Sequence, residues 1–127
     1  MRPVRLIGLG FALLSGVALA HHSTPAHYDL DKSVALEGTV TAFHWRNPHA
    51  FIFLDVVDGS GTHTEWHIEM SNTIGLTRAG WTDETIKEGD TLMIRGAPAR
   101  DESRNLLFIR ALKRPADGLT YGDDYGG

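Results

Sequence analysis

The chain has 127 residues, 12 of them basic and 16 acidic, a formal net charge of −4 and no cysteine. The missing cysteines exclude disulfides, thiol chemistry and thiolate metal sites. The acid excess argues against nucleic acid, whose binding depends on neutralising phosphates, and the length suits one domain with one core.

The chain opens with Arg2 and Arg5 and no acid, followed by an apolar run from Leu6 to Ala20. The run ends in Ala18-Leu19-Ala20, the small-x-small pattern of a signal-peptidase site. At about fifteen residues it is short of the roughly twenty that span a bilayer. Residues 1–20 are therefore expected to be a cleaved signal peptide, with the mature protein starting at His21 in the periplasm or outside the cell. No membrane insertion is expected after cleavage. Loss of the two arginines leaves 10 basic residues against 16 acids, a net charge of about −6.

Residues 21–32 are polar, contain Pro25 and read as an N-terminal arm. From Val34 the pattern alternates: Val34, Leu36, Val40 and Ala42 share one parity, with Gly38 marking a bend or bulge. By the same parity His44 points inward unless a bulge shifts it. Asn47-Pro48 is a turn signal. A second strand is expected over 49–57, with Ile52, Leu54 and Val56 on one face and Phe51, Phe53 and Asp55 on the other. Asp58-Gly59-Ser60-Gly61 makes a hairpin. In the third strand, 62–70, Thr64, Trp66, Ile68 and Met70 take the core face, and His63, Glu65, His67 and Glu69 the opposite one. Ser71 is the expected cap of a short helix over 72–79, stopped by Gly80. Strands four and five are expected at 91–97 and 106–113, and the glycine-rich residues 115–127 as a flexible tail.

Three strands, a helix and two further strands over residues 33–114 match the order of the OB-fold, a five-stranded Greek-key barrel. The expected class is all-β with one short helix.

Several short motifs carry a family resemblance: His21-His22-Ser23, Tyr28-Asp29, Leu36-Glu37-Gly38-Thr39-Val40, Trp45-x-Asn47-Pro48-His49, Trp66-x-x-Glu69, Arg78-x-Gly80-Trp81 and Lys87-x-Gly89-Asp90. As a set, over about residues 21–114, they resemble a family of small exported bacterial proteins known only as a domain of unknown function. Members often carry proline after the serine that opens the helix, where this chain has Asn72. The resemblance implies a secreted single domain and no particular activity, so function has to be argued from the site.

Histidine is the chemical signal. All seven histidines fall after residue 20, and six lie in pairs: His21/His22, His44/His49 and His63/His67. Imidazole is a common ligand for copper, zinc and nickel. Cleavage after Ala20 would give His21 a free α-amine beside its imidazole, and the two could chelate one ion. A third nitrogen would complete a T-shaped Cu(II) site, which resembles the histidine brace of copper-dependent polysaccharide monooxygenases and some periplasmic copper carriers. The third ligand would be His49 or His67, with His22 adjacent. Glu69, about 6.5–7 Å from His67 along the strand, would serve as ligand or support. Each candidate also has a structural reading: a solvated chain end for His21 and His22, a turn cap for His49, and a hydrated strand face for His67 and Glu69.

Catalytic signatures are thin. There is no Gly-x-Ser-x-Gly around Ser23 or Ser71, no His-Glu-x-x-His and no phosphate-cradling glycine loop. The leading expectation is an exported, soluble, non-catalytic binding module. Its ligand would be a metal ion, a small molecule or a periplasmic protein. A copper-binding protein is the narrower alternative, and a small hydrolase or oxidase the third.

Overall fold

A computed structural model describes residues 24–122. The expected signal peptide, His21, His22, Ser23 and the last five residues lie outside the described residues. The elements are α1 (Thr24–His27), β1 (Val34–His44), β2 (Phe51–Val57), β3 (His63–Glu69), α2 (Thr73–Arg78), β4 (Thr91–Pro98), β5 (Leu106–Arg114) and β6 (Leu119–Gly122). The strands lie in the order β3-β2-β1-β4-β5-β6, all antiparallel to their neighbours. A parallel pairing of β3 with β5 closes the first five into a barrel, as the OB-type order requires. That seam is short: His67, Ile68 and Glu69 lie opposite Leu106, Leu107 and Phe108.

The period-two pattern of each strand gives the barrel its filling. Ile52, Leu54, Ile68, Leu92, Ile94 and Leu107 are wholly buried, and no polar residue is buried among the described residues. Two glycines let the backbones approach. A Cβ at Gly38 would run into the Asp55 carbonyl oxygen, and one at Gly96 into that of Phe108. The bend expected at Gly38 lies instead three residues on. The β1–β2 register shifts between Val40 and Ala42, so Thr41 is the extra residue. Beyond it the parity reverses, which packs Phe43 on the core and leaves His44 exposed.

Helix α2 covers one end of the barrel with Leu76, fully buried. Its cap is Asn72 rather than Ser71: the Asn72 side chain accepts the Gly75 N–H at 2.8 Å, while the Ser71 hydroxyl donates to the Asn72 carbonyl. Trp81, 3% exposed, closes the same end.

Both ends of the described chain are more ordered than composition suggests. Residues 119–122 of the expected tail form β6, paired to β5. The ring of Tyr121 packs 5.3 Å from Trp81, and Gly118 takes the positive φ that the turn needs. The Arg114 guanidinium fixes this turn. It bonds Asp117 through two nitrogens, at 2.9 and 2.8 Å, and also reaches Asp90 and the Thr85 carbonyl, both at 2.7 Å. Hydrogen bonds from Arg114 and from the Leu119 amide hold the Asp117 carboxyl down to about 2. A lowered carboxyl favours the fold above its ordinary value near 4, and that contribution fades as pH falls from there toward 2. A carbon-detected titration should place Asp117 near 2, and Arg114→Ala should return it to the ordinary range. An Asp117 midpoint near 4 in the intact protein would show that the clamp does not form.

The arm is strapped down as well. Tyr28, 2% exposed, bridges to Ala99, and the Asp29 amide donates to the Pro98 carbonyl at 2.9 Å. Arg100 donates to the Pro25 carbonyl at 2.8 Å, and Arg110 to the carbonyls of Lys32 and Leu30. These contacts fix α1 beside the β4–β5 loop, at the edge of the barrel's outer face.

Candidate functional site

Alternation puts Phe51 and Phe53 of β2, and His67 and Glu69 of β3, on the face opposite the core. The pairing aligns Phe51 with Glu69 and Phe53 with His67. The Thr41 bulge adds His44, whose ring sits 4.5 Å from Phe53, as does that of His67 on the other side. The result is a row of three rings across β1, β2 and β3. Over Phe51, Phe53 and His67, the arm, the β1–β2 loop and the β4–β5 loop wall in a cleft of about 510 Å³, a size usual for small-molecule sites.

Four polar groups in the cleft, Tyr28, His49, His67 and Glu69, have specific partners. The Tyr28 hydroxyl donates to Glu69 Oε2. His49 Nδ1 lies 2.9 Å from the Met70 carbonyl oxygen and 3.5 Å from Glu69 Oε1. A carbonyl only accepts, so Nδ1 carries the proton and, in the neutral ring, Nε2 holds the lone pair. His67 Nε2 lies 2.8 Å from Glu65 Oε1, which by the same reasoning leaves the His67 lone pair on Nδ1. The β1–β2 loop that carries His49 is anchored by Asn47, whose side chain accepts from the Thr73 amide and hydroxyl at 3.1 and 2.9 Å. The Asn47–Pro48 peptide is cis.

Of the sequence-derived candidates, His49, His67 and Glu69 line this one cleft. His63 does not; it pairs with Asp55 at 2.8 Å. His21 and His22 lie outside the described residues. Among the described residues no group of three or more histidine and acidic side chains is placed to hold a metal ion.

Sequence reasoning missed Arg46, Arg104 and His27, which also line the cleft, and missed the role of Tyr28. A lone arginine in a polar loop carries no pattern. Tyr28 did belong to a recognised motif, but nothing in its spacing names Glu69 as its partner.

Burial and the Glu69 carboxylate together push the Tyr28 hydroxyl well above the ordinary tyrosine range. It thus stays protonated and donates. A raised pKa contributes stability that is complete below the ordinary value near 10 and is lost as pH rises beyond it. Tyr28→Phe should cost about 1.5–2 kcal/mol, the worth of a hydrogen bond to a charged group. It should also remove part of the loss of stability between pH 9 and pH 11. Urea unfolding of both proteins at the two pH values measures this. Parallel pH dependence in the two would exclude Tyr28 as the alkaline-sensitive group.

Fold and cleft define an OB-type barrel, extended by a sixth strand, with a mixed polar and aromatic cleft on its outer face. The chain belongs to a family of unknown function, DUF6152, whose model matches residues 10–108. No curated protein matches it. Among solved structures it is similar to a mitochondrial single-stranded DNA binding protein of S. cerevisiae, at 11% identity and a TM-score of 0.49. That match covers 65% of this chain and 91% of the other.

Proposed function

We propose that this chain is an exported, non-catalytic binding module, trimmed after Ala20, whose ligand seat is the cleft between the arm and the outer face of β2 and β3. The observation that carries the reading is the convergence of three separate walls on one aromatic floor in a closed barrel. Concave sites with an apolar lining and a few fixed polar groups are where small ligands bind. The non-catalytic part rests on how the polar groups are engaged. Glu69 holds Tyr28, His49 holds a backbone carbonyl, His67 holds Glu65, and Ser71 donates to its own helix cap. The Tyr28 hydroxyl, pushed well above the ordinary tyrosine range, is held protonated, and none of the other pairs sets a nucleophile against a free base.

The test is amide-shift mapping of the mature protein, beginning at His21, against a library of neutral, anionic and cationic fragments. The expected result is that binders perturb His49, Phe53, His67 and Leu106 together and that Phe53→Ser abolishes the effect. Binders that map elsewhere, or that are indifferent to Phe53→Ser, would overturn the reading.

The copper alternative has its own supporting observation. The Met70 carbonyl fixes the tautomer of His49 so that Nε2 is available, the orientation metal-binding imidazoles commonly receive from a backbone carbonyl. Thr24 lines the same cleft, and His21 is three residues before it, a span of at most about 11 Å. Cu(II) titration should give tight one-to-one binding with the native His21 terminus. Binding should be lost when one residue precedes His21 and weakened in His49→Ala. Equal affinity in the native and extended forms would end the copper reading.

A further inference from the structure

We infer that the cleft is selective for an organic anion with a flat apolar body, an aromatic carboxylate being the simplest member of the class. The inference rests on the proposed ligand seat and adds the chemistry of the occupant.

The first observation is the state of the arginines. Arg100, Arg110 and Arg114 give their guanidiniums to backbone carbonyls or carboxylates. The guanidiniums of Arg46 and Arg104, both exposed residues, form no hydrogen bond or ion pair with a described residue. Both line the cleft. Arg46 comes from the β1–β2 loop and rides over the Phe51 ring, 5.9 Å from its centroid. Arg104 comes from the β4–β5 loop, and its guanidinium acts on Tyr28 and Asp101 only through space. Two loops that are distant in sequence thus bring two unused forks of N–H donors to one recess. Guanidinium is the side-chain group best matched to the two oxygens of a carboxylate.

The second observation is the balance of charge. The cleft holds one carboxylate, Glu69, and that carboxylate already accepts the Tyr28 hydroxyl. With two arginines against it, the recess is cationic even when His27, His49 and His67 are neutral. The chain as a whole carries a net charge of −4. A basic recess on an acidic protein concentrates anions locally while the rest of the surface repels them.

The third observation is the floor. Phe51 and Phe53 present half-buried rings, and the His67 ring, 4.5 Å from Phe53, continues them onto β3. A small hydrated anion would leave this surface uncovered. A flat apolar body attached to the anion would cover it, and the cleft volume of about 510 Å³ admits a molecule of two fused rings.

The experiment titrates the mature protein with 2-naphthoate, with its neutral analogue 2-naphthalenemethanol and with acetate, each followed by amide shifts. 2-Naphthoate is expected to perturb Phe53, His67 and Leu106, and to bind at least tenfold more tightly than either comparison compound. Arg46→Gln and Arg104→Gln should each weaken it by about tenfold, the scale of one charge-assisted hydrogen bond. Thermal melts of both variants should match the parent, because neither guanidinium holds the fold. Equal binding of 2-naphthoate and 2-naphthalenemethanol at the cleft overturns the anion selectivity but leaves the cleft as the ligand seat. Equal binding of acetate and 2-naphthoate overturns the flat apolar body. Undiminished 2-naphthoate affinity in both arginine variants overturns the role of the guanidiniums. Shifts confined to residues away from the cleft, or no binding of 2-naphthoate at all, overturn the proposal; shifts elsewhere also count against the ligand seat.

Discussion

Replacing Gly96 with valine is expected to lower the melting temperature by roughly 12–24 °C, for a loss on the order of 3 kcal/mol at about 4–8 °C per kcal/mol. Gly96 lies where the β4–β5 register shifts, directly after Arg95, and it is buried. A Cβ there would meet the Phe108 carbonyl oxygen and lie 2.9 Å from both Cγ and Cδ2 of Leu107. The Phe108 carbonyl belongs to the β5 backbone and cannot rotate aside. Leu107 is wholly buried and has no space to enter. Any side chain therefore forces β4 and β5 apart at the point where the sheet bends to close. Since a domain of this kind has about 5–15 kcal/mol of stability in all, the loss is a large share. Far-ultraviolet circular dichroism against temperature measures it. A drop of less than about 3 °C would show that the two strands do not approach this closely.

Leu54→Ala is expected to cost about 3–4 kcal/mol, the middle of the range for large-to-small changes at fully buried sites. Leu54 sits at the centre of the barrel wall, opposite Val40 on one side and Trp66 on the other. Its Cγ fills the space that the missing side chain of Gly38 leaves open. Neighbours on three strands cannot all move inward together, so a cavity remains and adds to the lost burial. Val56→Ala, on the same strand face but only half-buried, should cost much less. Chemical unfolding of the two variants side by side reads the contrast. Equal midpoints would mean that the core is centred elsewhere.

The barrel was legible because alternation reports burial directly. The faces of β2 and β3 follow from parity alone, and placing His67 and Glu69 on one outer face brought two of the cleft's ionisable groups together. Parity failed where a single extra residue reversed it: Thr41 moved His44 from the inward series to the outward one, and nothing in Thr39-Val40-Thr41-Ala42 marks the bulge. The helix cap was misplaced by one residue because serine and asparagine cap equally well. Only the Gly75 amide decides between Ser71 and Asn72. The tail looked flexible because its glycines outweigh its two apolar side chains that reach the core, Leu119 and Tyr121, yet one glycine makes the turn and Tyr121 finds Trp81. The cleft itself was largely illegible. Its walls come from residues 24–28, 46–49 and 104–106, segments without periodicity whose meeting is a consequence of barrel closure.

That closure has a further consequence. His67, Glu69 and Leu106 are at once the lining of the cleft and members of the three-residue seam that joins β3 to β5. The seam is the shortest pairing in the barrel, and backbone amides exchange with solvent fastest where the fewest bonds must break. The amide of His67, donating to the Asn105 carbonyl at 2.9 Å, should be among the first in the barrel to take up deuterium. An occupant gripping the arm, the β1–β2 loop and β3 together would act as a rivet across that joint. Retarded deuterium uptake along the seam, with little change on the far side at β4, would then report occupancy without any knowledge of the occupant.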